Sequence, residues 1–168
     1  MERKLTLTDI CGYFPYGLKI LDFESEVIYP FLGYEIDTTL TKILLYDEET
    51  DWWDLSNFKP ILRPLSDLYK PITHNGERII PNVELAEIAE PGYNWLADID
   101  YAFEDGGLMF LYRKNIGFRM WLNRADIMYV NNQYQLFDYL HELKIDYRGL
   151  IDAGLAVDCN TLKENPYK

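Results

Sequence analysis

The sequence predicts an α+β fold: an antiparallel β-sheet that includes a meander near residues 97–122, helices packed on one face, and a helical C-terminal third. Three observations lead there. Ile99, Tyr101 and Phe103 alternate with Asp98, Asp100, Ala102 and Glu104, the period of a strand with one apolar and one mostly acidic face. Leu108–Tyr112 is apolar on both faces, as a central strand would be, and beyond it Phe118, Met120 and Leu122 alternate with Arg119, Trp121 and Asn123. From Asn132 onward the period changes, and Leu136, Phe137, Leu140 and Leu143 form the apolar stripe of a helix.

Taken in chain order, Thr6 with Asp9 three residues on caps a short first helix ending near Gly12, and Pro15 and Gly17 mark a turn. Strands are expected at Leu18–Phe23, Val27–Ile36 and Leu40–Tyr46, the middle one an edge or bulged strand because of Pro30 and Gly33. Residues 47–57, DEETDWWDLSN, read as an exposed acidic loop. Ser66 suits the start of a helix, and Asn82 suits the cap of another that Pro91 and Gly92 stop. Glu104–Gly107 supply one hairpin turn of the meander, and Asn115 with Gly117 the next. Asn123 with Asp126 and Asn132 with Gln135 have capping spacing. Asp146 is expected to open a last helix closed by Gly154, and Leu155–Val157 to return to a sheet edge.

No repeat and no Gly/Ser or Pro linker divides the 168 residues, so one domain, 1–168, is expected. A chain of this length buries roughly 70% of its unfolded surface, enough to fold without disulfide or metal. Cys11 and Cys159 stand far apart in sequence, no apolar leader follows Met1, and no run of 18 apolar residues occurs. A cytoplasmic location away from any membrane is the expectation.

Sixteen Lys and Arg against 28 Asp and Glu give a net charge of −12, which disfavours direct nucleic-acid binding. The charge is unevenly placed. Residues 21–57 hold ten acids and one Lys, residues 81–105 hold seven acids and no base, and residues 106–124 hold four bases and no acid. Such segments serve as a solvated surface, or as an acidic face that meets a basic partner and weakens with salt.

Motifs for chemistry are sparse. His141–Glu142 begins a zinc-protease pattern, but Ile145 stands where the second His belongs, and His74 is the only other histidine. Neither a phosphate loop nor a dinucleotide pattern is present. Two acidic groups remain. Asp98, Asp100 and Glu104 would share one strand face and suit a divalent cation, or an acid and base pair, or cross-strand ion pairs with Arg119. Asp47, Glu48, Glu49, Asp51, Trp52, Trp53 and Asp54 combine acids with adjacent tryptophans that suit stacking on a sugar, gripping a partner, or anchoring the loop.

Three stretches carry a resemblance: YFPYGLKI at 13–20, KPILRPLSDL at 59–68 and IDYRGLIDAGLAVDCNTL at 145–162. Through them the chain, from near residue 5 to near residue 162, resembles a family of small proteins of unassigned function encoded by phages, prophages and related mobile elements of gut anaerobic bacteria. The resemblance transfers no catalytic residue and no cofactor.

The expectation is therefore a noncatalytic phage or mobile-element accessory protein in the host cytoplasm. It would bind a host protein with a basic surface, in its most concrete form as a nucleic-acid mimic inhibiting a nucleic-acid-handling or defence factor. The binding residues would be Asp47, Glu48, Glu49, Asp51, Trp52, Trp53, Asp54, Asp98, Asp100, Glu104 and Asp105. The alternatives are a small-molecule module, a nucleotide or sugar sponge lined by some of the 26 aromatic side chains, and a metal-dependent hydrolase using Asp98, Asp100 and Glu104.

Overall fold

The computed structural model describes residues 3–36, 41–45, 52–123 and 126–168. Two compact units divide the chain, Met1–Pro64 with Arg148–Pro166, and Leu65–Tyr147 with Tyr167–Lys168.

The first unit opens with α1, Leu7–Ile10. The Asp9 carboxylate accepts the Thr6 backbone N–H (3.0 Å), the Thr6 hydroxyl (2.8 Å) and the Arg3 guanidinium (2.7 Å). Those bonds satisfy an N-terminal donor that the helix cannot satisfy itself. A 3₁₀ turn, Cys11–Tyr16, follows and ends at Gly17, whose φ of +71° lies in the left-handed region that favours glycine. Strands β1 (Lys19–Asp22), β2 (Ile28–Ile36), β3 (Thr41–Leu45), β4 (Trp52–Asp54) and β5 (Phe58–Leu62) form a sheet in the order β5-β1-β2-β3-β4. β2 is interior and carries its irregularity between Phe31 and Gly33, so the bulge rather than the edge accommodates Pro30 and Gly33.

The second unit begins with a 3₁₀ turn, Leu65–Tyr69, and a hairpin of β6 (Ile72–His74) and β7 (Glu77–Ile79). α2 is Pro81–Ala89, then β8 (Leu96–Ala97), β9 (Ala102–Phe103), β10 (Leu108–Arg113), β11 (Gly117–Leu122) and β12 (Asp126–Met128) make a five-stranded antiparallel meander. α3 spans Gln133–Glu142, and a last strand, β13 (Val157–Asp158), returns to the first unit's sheet edge, parallel to β5. The fold is α+β with antiparallel-dominated sheets. Among the described residues no helix is long and apolar enough to cross a membrane.

α2 and α3 cover one face of the meander. Leu85 and Ala86 of α2 and Leu136 and Leu140 of α3 are buried with Leu108, Phe110, Tyr112, Phe118 and Met120 in one cluster. Phe110 and Phe118 stack at 5.7 Å, and Trp95 and Phe137 meet them edge-on. Two amides at the start of α3 lash the layers together. Asn132 Nδ2 donates to the Ile88 carbonyl (2.6 Å), one of the acceptors that α2 leaves open at its end. Gln133 accepts the Phe118 N–H (3.2 Å) and donates to the Phe118 carbonyl (2.9 Å). β12 pairs only with Met120–Leu122, so Gln133 stands in for a strand where that partner ends.

Four expectations are corrected. Pro81 takes the first position of α2 with Ile80 before it, because a proline there lacks only an N–H the helix leaves unused. Asn82 is accordingly buried inside the helix, donating to the Phe110 carbonyl (3.4 Å). Asn123 and Asp126 open β12 instead of a helix, since Asn123 at φ +52° turns the chain back onto β11. After Asp146 the chain forms turns, because Gly149 at φ +72° cannot continue a right-handed helix; Gly154 does take the left-handed position. The strand expected through 98–104 is broken by a hairpin turn in which Asp98 N–H donates to the Tyr101 carbonyl (2.9 Å).

Two measurements test this packing. Gln133→Ala leaves the polar backbone of the buried Phe118 unpaired and should cost about 1–3 kcal/mol in urea unfolding; a cost within error of zero would contradict the strand-substitute role. Burial alone would raise the Asp9 pKa, but the Thr6 and Arg3 hydrogen bonds outweigh it and hold the carboxyl below its ordinary 3.8. Asp9 thus contributes stability fully present above pH 3.8 and lost as pH falls through the lowered value. Asp9→Asn should cost about 1 kcal/mol at pH 7, with a gap to the parent that narrows in acid; a gap unchanged by pH would refute this.

Candidate functional site

Alternation along β10 and β11 decides what the second unit shows to solvent. Leu108, Phe110 and Tyr112 point into the core, so Met109, Leu111 and Arg113 point to the opposite face, where cross-strand pairing adds Trp121 opposite Met109 and Arg119 opposite Leu111. Register carries the Met109 row outward in both directions, Phe103 and Leu96 on one side and Ile127 on the other. The result is an apolar row, Leu96–Phe103–Met109–Trp121–Ile127, across all five strands. Neither α2 nor α3 packs on it. Leu96 is 39% and Ile127 62% exposed, while Phe103, Met109 and Trp121 are half-buried.

Two adjoining concavities run along this face, sharing Tyr101 and Met109. One, of about 490 Å³, is lined by Asp100, Tyr101, Met109, Leu111, Arg113 and Trp121. The other, of about 420 Å³, lies toward Glu104, Gly107 and Asn123. The Arg113 guanidinium sits over the Trp121 ring at 5.9 Å, a distance at which the ring's negative face attracts a cation. The face thus has an apolar middle and charged ends, Arg113 with Asp100 at one and Glu104 with Asp105 at the other.

The acidic residues singled out from sequence are only partly gathered here. Asp98 and Asp100 lie in the β8–β9 turn and Glu104 and Asp105 in the β9–β10 turn, at opposite ends of β9. They do not converge as a ligand set, and among the described residues no group of three or more His, Cys, Asp or Glu is placed to hold a metal ion. The Asp98 carboxylate accepts the Ile99 N–H at 2.7 Å within its own turn. Arg119 lies opposite Leu111, not an acid, so the expected cross-strand ion pairing is not its arrangement.

Asp47, Glu48, Glu49 and Asp51 lie outside the described residues. Trp52–Asp54 forms β4 at the edge of the first unit's sheet rather than a loop. There Trp53 is 41% exposed and meets Phe58 edge-on at 6.2 Å, and the Asp54 carboxylate accepts the Ser56 N–H at 2.8 Å.

Several other titratable side chains are paired within the second unit. His74 pairs with Glu142 at 3.0 Å, and His141 meets the Tyr147 hydroxyl at 2.8 Å. Burial, and secondarily the charge of Asp100, raises the Tyr69 phenol; burial, followed by Tyr147, Tyr69 and Asp146, raises that of Tyr112. Both keep their protons at neutral pH and donate, to the Tyr112 and Tyr147 carbonyls respectively. Tyr139 is pushed up to about 12 by burial and by Glu84 and Glu142.

Sequence reasoning missed the apolar row. Its signal was present in Met109, Leu111 and Trp121, but apolar residues on both faces read as a strand covered on both sides. The two faces are separable by mutation: Phe110→Ala should cost about 3–5 kcal/mol and Trp121→Ala well under half of that. Equal costs in urea unfolding would show that Trp121 is core. Comparison with family models, curated proteins and solved structures finds no match to this chain.

Proposed function

We propose that the chain is a noncatalytic protein, carried by a phage or mobile element, that binds a host protein in the bacterial cytoplasm through the open face of the meander. The observation that carries this reading is the uncovered row Leu96–Phe103–Met109–Trp121–Ile127 with acids at its margins. An apolar centre inside a polar rim is the anatomy of protein interfaces, and aromatic residues with Arg are the side chains that most often dominate their energy. Asp98, Asp100, Glu104 and Asp105 favour a partner with a basic rim, and the net charge of −12 steers such a partner while repelling nucleic acid itself. A nucleic-acid-handling or defence factor fits that description, and the mobile-element resemblance is what points toward it.

The test is affinity capture from host extract at low and moderate salt, with the double variant Met109→Glu/Trp121→Glu as control. A basic protein should be retained by the parent chain, released as salt rises, and lost with a double variant that still melts cooperatively. Failure to recover any basic nucleic-acid-binding protein removes the mimic, and retention of the same proteins by the double variant removes the face.

A second reading, a small-molecule module, draws on the two concavities, whose volumes fall in the range of ligand pockets. Saturating nucleotide or sugar at about a hundred times its Kd should stabilise the fold by about 2.7 kcal/mol. An unmoved melting temperature across such a panel rejects it.

A further inference from the structure

We infer that, without a partner, the open face of the meander is covered by a second copy of this chain in a two-fold, face-to-face pairing. The inference rests on reading that face as a binding surface, and adds what occupies it. Five strands at about 4.8 Å spacing carry the apolar row roughly 20 Å across the sheet. A row of that width, continuous over five cross-strand neighbours, is a patch and not scattered exposure.

The charges make the face complementary to itself. Chain direction puts the β10–β11 turn at one end of the face, with Arg113 on the rim and Arg119 two residue pairs further in; the β9–β10 turn at the other end carries Glu104 and Asp105. Asp100 lies at the Arg113 end and dilutes its positive charge. Among the described residues neither Arg113 nor Arg119 forms a close ion pair with an acid.

A two-fold axis lying between two such sheets and parallel to the apolar row reverses strand direction and keeps the row in place. It stacks Met109 and Trp121 of one copy on the same row of the other, and sets the Arg113 end of each copy against the Glu104 end of its mate. Both ends gain opposite charges at once, as an isologous contact requires. Packed sheets sit about 10 Å apart, a gap that interleaved Met, Leu and Trp side chains fill.

Size sets the strength. The face covers five short strands by about three side-chain rows, less than the roughly 800 Å² per partner of standard stable interfaces. The dimer is therefore weak and concentration-dependent, and gives way to a tighter partner.

Sedimentation equilibrium of the full chain over about 2–500 µM tests this, with two charge-reversal variants on exposed or partly exposed positions, Arg113→Glu/Arg119→Glu and Glu104→Lys/Asp105→Lys. The parent chain should move from one copy toward two as concentration rises. Each variant should weaken that association at least tenfold, and an equimolar mixture of the two should recover it, because each variant's altered end meets a complementary end only in the other. A parent chain monomeric throughout overturns the inference while leaving the proposed host partner standing. Variants that associate as the parent does, or a mixture no tighter than either alone, overturn it as well. Circular dichroism of both variants confirms that any loss is one of association and not of folding.

Discussion

The pairing of β10 with β11, six residues in register from Leu108↔Leu122 to Arg113↔Gly117, is the constraint from which the rest of the second unit follows. Once Phe110 faces Met120 and Tyr112 faces Phe118 toward the helices, strand alternation leaves no choice for Met109, Leu111, Trp121 and Arg119: they face the other way. A slip of one residue would exchange the two sets and expose the stacked Phe110–Phe118 pair. Several features hold that register. Gly117 at φ +90° and Asn115 at φ +68° shape the turn, Gln133 grips the Phe118 backbone, and Asn132 ties the end of α2 to the start of α3.

A register determined on its inner side leaves the half-buried outer side a smaller share in folding. The outer side is nevertheless apolar. A sheet face that met only water would carry Thr, Lys and Glu at those positions, whereas β10 and β11 place Met109, Leu111 and Trp121 there. An apolar centre with charged margins is the anatomy of many association surfaces, and it is this pattern that the proposed binding role draws on. The polar groups that lie close together, His74 with Glu142 and His141 with Tyr147, link hairpin, helix and turn, and the raised phenols of Tyr69 and Tyr112 bond backbone carbonyls.

Much of the architecture was legible from local pattern alone. The Thr6–Asp9 cap, the strands near 18–46, the Glu104–Gly107 turn, the central strand at 108–112 and the helix carrying Leu136 and Leu140 all follow from short-range rules of period, capping and turn chemistry. Misreadings arose where two local rules competed. Asn82 has a good cap side chain, but Pro81 had already claimed the first helical position; Asp146 can cap, but Gly149 three residues on takes a left-handed conformation. At 98–104 the alternation is real in the sequence, yet Asp98 bonds its own turn and splits the run into two strands. The candidate site was less legible for a different reason. Whether an apolar strand face is covered depends on how many helices the chain supplies and where they pack, and no local pattern around Met109 or Trp121 carries that information.

The central claim, that the meander has one face in the core and one kept for partners, is tested most directly by methionine oxidation, because Met109 and Met120 sit one residue pair apart on opposite faces. Dilute chain treated with peroxide and followed by mass spectrometry should lose Met109 to the sulfoxide well before Met120, which is 1% exposed. Oxidation of the two at equal rates in the dilute, folded chain would contradict the account.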